Sequence, residues 1–213
     1  MGEDRIVRLV KAAKNGDTTA FEELVALFEQ RVYRLCLHLT GNHNDAEDLA
    51  QETFLKAYAG LAGFREEAGF GTWLHRITVN LWTSELRRRK RGQPSSLDAP
   101  LETDEGEELD RLVADPLPGP EEVLDEKETR RLLVQALNSL SPEHRAILVL
   151  REIQGCQYEE IARILACPVN TVKSRLNRAR SALRRSMIGM VARHQALPDK
   201  KRKEVRVPCR ASE

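Results

Sequence analysis

The sequence predicts an all-α protein of two small helical domains joined by an acidic linker. Three observations carry this. Of 213 residues, 31% are charged and only 5% aromatic, which suits small helical cores better than one large one. Apolar residues recur at helical spacing on both sides of a proline-rich acidic stretch. Residues 158–185, YEEIARILACPVNTVKSRLNRARSALRR, read as two short helices about a tight turn, the second of them basic.

In residues 3–40, Phe21, Leu24, Val25, Phe28, Val32, Leu35 and Leu39 are spaced for one buried helix face. Asp17 and Thr18 offer a cap, and Gly41-Asn42 a stop. A second helix is expected to start at Asp45 as N-cap, with Ala46, Leu49, Ala50, Phe54 and Ala57 as its buried stripe. Asp48, Gln51, Glu52, Leu55 and Tyr58 fall on its other faces. They suit a protein-docking surface, but charged helix faces are usually just solvated, and the residues alone favour that plainer reading.

Paired acids and glycines make residues 64–71, FREEAGFG, a loop. The helix after it is expected to turn Ile77, Leu81 and Leu86 to the core and to leave Trp73, Arg76, Asn80 and Trp82 outside as rings and donors. Aromatic rings beside arginine hold single-stranded bases, although a Trp opening a helix is often plain core. The run Arg87-Arg88-Arg89-Lys90-Arg91 would neutralise phosphates.

Five prolines lie between Gly92 and Pro120, with thirteen acids between Ser96 and Glu128 against only Arg111 and Lys127. Residues 92–127 therefore read as a flexible tether. Leu124, Leu132, Leu133 and Leu137 mark the next helix, to about Asn138; Ser141-Pro142-Glu143 starts another, with Ile147, Leu148 and Leu150 as core.

In the two-helix stretch, Ile161, Ala162 and Leu165 form the first apolar face, and Cys167-Pro168 ends that helix. Asn170 is expected to cap the second, whose apolar residues are Val172, Leu176, Ala179 and Leu183. Thr171, Lys173, Ser174, Arg175 and Arg178 lie on the polar face, where donors reach phosphates and base edges in a major groove. A helical hairpin with a solvated basic face would look the same. Residues 191–213 are expected to be a basic, disordered tail.

Net charge is only +1, yet the acidic connector lies between basic segments, an arrangement suited to two nucleic-acid-facing surfaces. No apolar run is long enough to span a membrane and the N-terminus is charged, so a cytoplasmic location is expected. Cys36, Cys156, Cys167 and Cys209 are scattered and read as buried or idle thiols. The dispersed histidines and the lack of a glycine-rich phosphate loop argue against an enzyme, a metal site or a cofactor.

The order DAEDLAQETFLKAY, FREEAGFGTWLHRITVN with its basic run, an acidic linker, then LSPEHRAILVLREIQGCQYEEIARILACPVNTVKSRLNRAR resembles bacterial RNA polymerase sigma factors of the extracytoplasmic-function group, over about residues 5–190. The resemblance implies a region 2-like domain at residues 5–91 and a region 4-like domain at residues 128–190. It reverses the solvated reading of the first acidic helix, implying that Asp48, Gln51 and Glu52, with Tyr58 nearby, dock on the polymerase core. It implies that Phe64, Phe70, Trp73, Arg76, Asn80, Arg87 and Arg88 bind and open the minus-10 element. It places Thr171, Lys173, Ser174, Arg175 and Arg178 in the minus-35 major groove, and it implies an anti-sigma factor as a further partner. Relatives often carry Asp where this chain has Ser84 and Gly where it has Asn170, which bears on promoter preference. The rival function is a self-sufficient helix-turn-helix regulator that binds DNA as a dimer without polymerase.

Overall fold

The structure, a computed structural model, describes residues 2–92 and 126–195. Helices α1 (Gly2–Lys14), α2 (Thr18–Thr40), α3 (His43–Gly60) and α4 (Phe70–Gly92) build the first bundle. Helices α5 (Glu126–Asn138), α6 (Pro142–Leu148), α7 (Tyr158–Leu165) and α8 (Val169–Gln195) build the second. Residues 93–125 and 196–213, including most of the expected linker and tail and Cys209, lie outside the described residues.

Local chemistry fixes most helix ends. Asp17 accepts from the Ala20 amide at 3.0 Å to start α2, and Gly41 ends it in a left-handed conformation (φ 82°) that costs glycine little. Ser141 caps α6 by accepting from the His144 amide, with Pro142 at the first helical position. Two expected caps are displaced. Asn42, not Asp45, caps α3, accepting from the Asp45 amide at 2.8 Å. Asn170 lies inside α8, whose first bond runs from the Val172 amide to the Pro168 carbonyl, so proline's fixed φ sets the entry. Helix α7 closes at Ala166, itself left-handed (φ 50°), one residue before Cys167-Pro168.

The expected stripe of α2 is buried at Phe21, Leu24, Phe28, Val32, Leu35 and Leu39, and that of α8 at Val172, Leu176 and Ala179. In α4, Ile77, Leu81 and Leu86 only flank the core, while Leu74, His75, Thr78, Val79 and Trp82 fill it. Trp82, expected outside, is 4% exposed, because the second bundle covers the α4 face on which it lies. Helix α6 runs into a π-helical turn, Val149–Ile153, and Gly155 (φ 69°) reverses the chain, so that Cys156 points back at the first bundle. Helix α7 packs on α4 and the π-helical turn on α2. The buried side chains of both bundles form one continuous cluster.

Candidate nucleic-acid interface

Three exposed surfaces collect most of the expected site residues. On α3, Asp48, Gln51, Glu52, Leu55 and Tyr58 are all exposed, Leu55 at 64% and Tyr58 at 52%. Spacings of three and four put Asp48, Gln51, Glu52 and Leu55 on one face. The Tyr58 ring meets Phe21 edge-on at 5.0 Å, which anchors the ring against α2. A groove of about 630 Å³ opens beside this face between α2 and α3, with Val25, Ala50 and Phe54 as apolar floor and Gln51 on its rim.

The second surface is a stripe along α4. Trp73, Arg76, Asn80, Ser84 and Arg87 recur at intervals of three and four, which spans about 21 Å of helix. Trp73 is partly buried, and the other four are exposed.

Phe64 and Phe70, expected to meet a base, are instead 6% and 4% exposed. Their rings lie 5.9 Å apart, edge to face; Phe70 also meets Phe28 at 5.4 Å, and Phe64 meets Trp73 at 4.8 Å. Burying such rings against one another gains more than leaving them in water, so they form the floor of the site and Trp73 is the ring that reaches its surface. Gly71 lets this packing close up, since a Cβ there would stand 3.0 Å from the Phe28 ring. Lys14 ties the loop down, donating to the Phe64 carbonyl at 2.8 Å and pairing with Glu66, whose backbone is left-handed (φ 58°).

In the basic run, Arg87 and Arg88 are exposed, and Arg88 pairs with Glu85 at 2.8 Å. Arg89 is committed to the fold. It grips both carboxylate oxygens of Asp45 at 3.2 Å and one of Glu85 at 2.9 Å. These bonds hold Asp45 and Glu85 below the usual carboxylate range and raise Arg89, in each case through Arg89's own hydrogen bonds first.

The third surface is the start of α8. Lys173, Ser174 and Arg178 are exposed, Thr171 and Arg175 partly so. The Ser174 hydroxyl donates to the Thr171 carbonyl, and Arg175 lies 3.6 Å from Glu143. Arg180, further along the helix, pairs with Glu152 at 2.7 Å.

Thr72, His75, Arg145 and Glu160 carry no functional signal in the sequence, and they bring the two bundles together. Thr72 and Glu160 are 88 positions apart, and neither belongs to a pattern that points at the other. Burial, and secondarily Arg31, pushes His75 down to about 3. Burial pushes the Cys36 and Cys156 thiols up to about 12 and about 11. Among the described residues no cluster of acids, histidines and cysteines is suited to a metal ion, and no helix is long and apolar enough to cross a membrane.

The family model for sigma-70 region 2 matches residues 24–92, and that for sigma-70 region 4 matches residues 130–183. The chain is 36% identical to the ECF RNA polymerase sigma factor SigW of Bacillus subtilis over 186 residues, 87% of this chain and 98% of that protein. It is also 36% identical to the RNA polymerase sigma-H factor of Pseudomonas aeruginosa, covering 84% of this chain and 92% of that one. Among solved structures, the sigma factor RpoE of Bartonella quintana, crystallised with the anti-sigma factor NepR, is 29% identical with a TM-score of 0.58, over 78% of this chain and 96% of that one. The region 2 and region 4 matches fall in order on the two helical bundles, and the chain belongs to the extracytoplasmic-function group of sigma-70 RNA polymerase sigma factors.

Proposed function

We propose that the chain binds RNA polymerase core and directs promoter-specific initiation, the first bundle reading and opening the minus-10 element and the second reading the minus-35 element. The observation that carries this is the order of region 2 and region 4 on one chain, with exposed faces of matching chemistry on each. The acidic-amide face of α3, Asp48, Gln51 and Glu52 with Leu55 and Tyr58, is the docking surface for core. Trp73 stacks an unpaired base while Arg76, Asn80, Arg87 and Arg88 hold the strand. Thr171, Lys173, Ser174, Arg175 and Arg178 enter the duplex major groove. The division falls at residues 5–91 and 128–190. Tethering both readers to one core raises the effective concentration of the second reader at its element.

The protein acts in the cytoplasm as a regulatory subunit without catalysis or a cofactor of its own. By analogy with the Bartonella complex, an anti-sigma factor is a further partner. Run-off transcription with purified core on genomic fragments tests the function: discrete starts that depend on this chain support it. Tight, sequence-specific binding to palindromic DNA by the chain alone would favour the dimeric regulator.

A further inference from the structure

Helix α1 ends on Lys14, outside the stretch matched by the region 2 family model, which begins at residue 24. Val10 and Ala13 bury the helix in the first bundle, where it packs on the turn Leu61–Gly63. That seat fixes where the Lys14 side chain starts, and its ammonium reaches the loop that follows the turn. It donates to the Phe64 carbonyl at 2.8 Å and meets a Glu66 carboxylate oxygen at 3.4 Å. The lysine side chain is only 27% exposed, and attraction between charges strengthens as solvent is excluded.

Little else holds the middle of this loop. The buried rings of Phe64 and Phe70 pin its two ends, and backbone bonds join Phe64 to Leu61 and Trp73 to Gly69. Between them Arg65, Glu66 and Glu67 are exposed. Among the described residues, the hydrogen-bonding or ionic partner of residues 65–68 is Lys14 alone, at Glu66. Glu66 is also the residue with a left-handed backbone (φ 58°). That conformation is unfavourable for a residue with a side chain and persists where the surroundings hold it in place.

We propose that Lys14 is a positioning residue for base recognition, holding residues 64–68 in the shape that receives an unpaired base beside Trp73. Phe64, whose carbonyl it grips, packs its ring 4.8 Å from the Trp73 ring, so the lysine acts on the wall next to the stacking surface. Taking a base out of its stack costs free energy that new contacts must offset. A loop already in its bound shape leaves more of that contact energy to the base, because no ordering cost is met at binding. The pairing also offsets one of the negative charges on a loop that phosphates approach. With its ammonium committed to the loop, Lys14 is not itself a phosphate contact. The role in base reading rests on the promoter reading above; the clamp on the loop does not.

In the free full chain, amide NMR relaxation measures the order of the backbone at residues 65–68. In holoenzyme reconstituted with purified core, a library of random-sequence single strands is bound and sequenced, with core alone as background. Lys14→Met keeps the aliphatic stem and loses both bonds. It is expected to lower the order parameters of the loop from about 0.85 to below about 0.6. It should also flatten the base preference several-fold at one position of the strand and leave the other positions as in the parent. The salt slope of binding should stay at the parent's value, since no phosphate contact is lost. Lys14→Arg, which keeps a donor, should restore most of the preference. Should Lys14→Met fail to fold, Glu66→Gly makes the same measurements by freeing the left-handed residue from its own side. Equal order parameters in parent and variant would overturn the clamp. A looser loop with every base preference intact would overturn its role in reading. A salt slope reduced by about 0.7 with preferences intact would make Lys14 a phosphate contact and overturn the proposal likewise. A parent holoenzyme without any base preference, in a chain whose loop loosens on Lys14→Met, would leave the clamp standing and remove the promoter reading.

Discussion

The guanidinium of Arg89 grips both carboxylate oxygens of Asp45 at 3.2 Å, clamping the basic end of α4 to the first turn of α3. One member of a run of five basic residues is thereby taken from DNA and given to the fold. Arg89→Ala is expected to lower stability by about 0.2–1 kcal/mol, as for an exposed ion pair. The salt slope of single-strand binding should stay near the parent's, whereas Arg87→Ala and Arg88→Ala should each reduce it by about 0.7. Titrating a labelled strand at several salt concentrations separates the two classes. Equal slopes for all three variants would place Arg89 back on the DNA.

Phe70 and Trp73 should part company in the same way. Phe70→Ala removes a ring packed on Phe28, Phe64 and Trp73 and is expected to cost about 3–5 kcal/mol in urea unfolding. Trp73→Ala should cost less stability but remove about 1–3 kcal/mol of base stacking. It would be read as slower promoter opening by permanganate reactivity of unpaired thymines.

The helix content, the buried stripes of α2 and α8 and the helix-turn-helix are legible in the sequence because periodicity and turn chemistry are local. Asp17, Gly41 and Ser141 each announce themselves within four residues of what they cap. Asp45 and Asn170 mislead for an instructive reason: in each case another residue sits at the entry, Asn42 ahead of α3 and Pro168 ahead of α8. Trp82, Phe64 and Phe70 mislead because aromatics serve base stacking and core packing equally well, and only tertiary packing decides. The hydrogen bond from Thr72 to Glu160 has no sequence signal, since nothing within either helix depends on the other.

On α8, Lys173→Ala and Arg178→Ala are each expected to weaken upstream-element recognition by about 1–3 kcal/mol for every base edge the side chain no longer reads. Arg175→Ala should cost less, because Glu143 at 3.6 Å already competes for its guanidinium. Competition binding of the holoenzyme to promoters with single upstream substitutions measures all three. Unchanged discrimination in both Lys173→Ala and Arg178→Ala would remove this helix from the groove.

Paired Asp48→Ala and Gln51→Ala substitutions should reduce co-purification with polymerase core while leaving circular dichroism and thermal midpoint unaltered, because both side chains stand in solvent. Loss of helicity would show instead that the face is structural.

His75 gives the protein a pH dependence whose sign is fixed by burial. The imidazole is buried and held neutral, its folded pKa pushed from 6.5 down to about 3, with Arg31 and the Cys156 thiol facing it. Over that window the unfolded chain binds the proton and the folded chain does not. Stability from this group is therefore complete above about pH 6.5 and drains away as pH falls toward 3. Between pH 7 and pH 5 the loss is roughly 2 kcal/mol. Carboxylates titrate in part of the same range, so the comparison that isolates the histidine is urea unfolding of the parent against His75→Gln at both pH values. The variant should be less stable at pH 7, where it loses a packed imidazole, and should lose less on acidification. Parallel pH profiles would mean that His75 is protonated as readily in the folded chain as in the unfolded one.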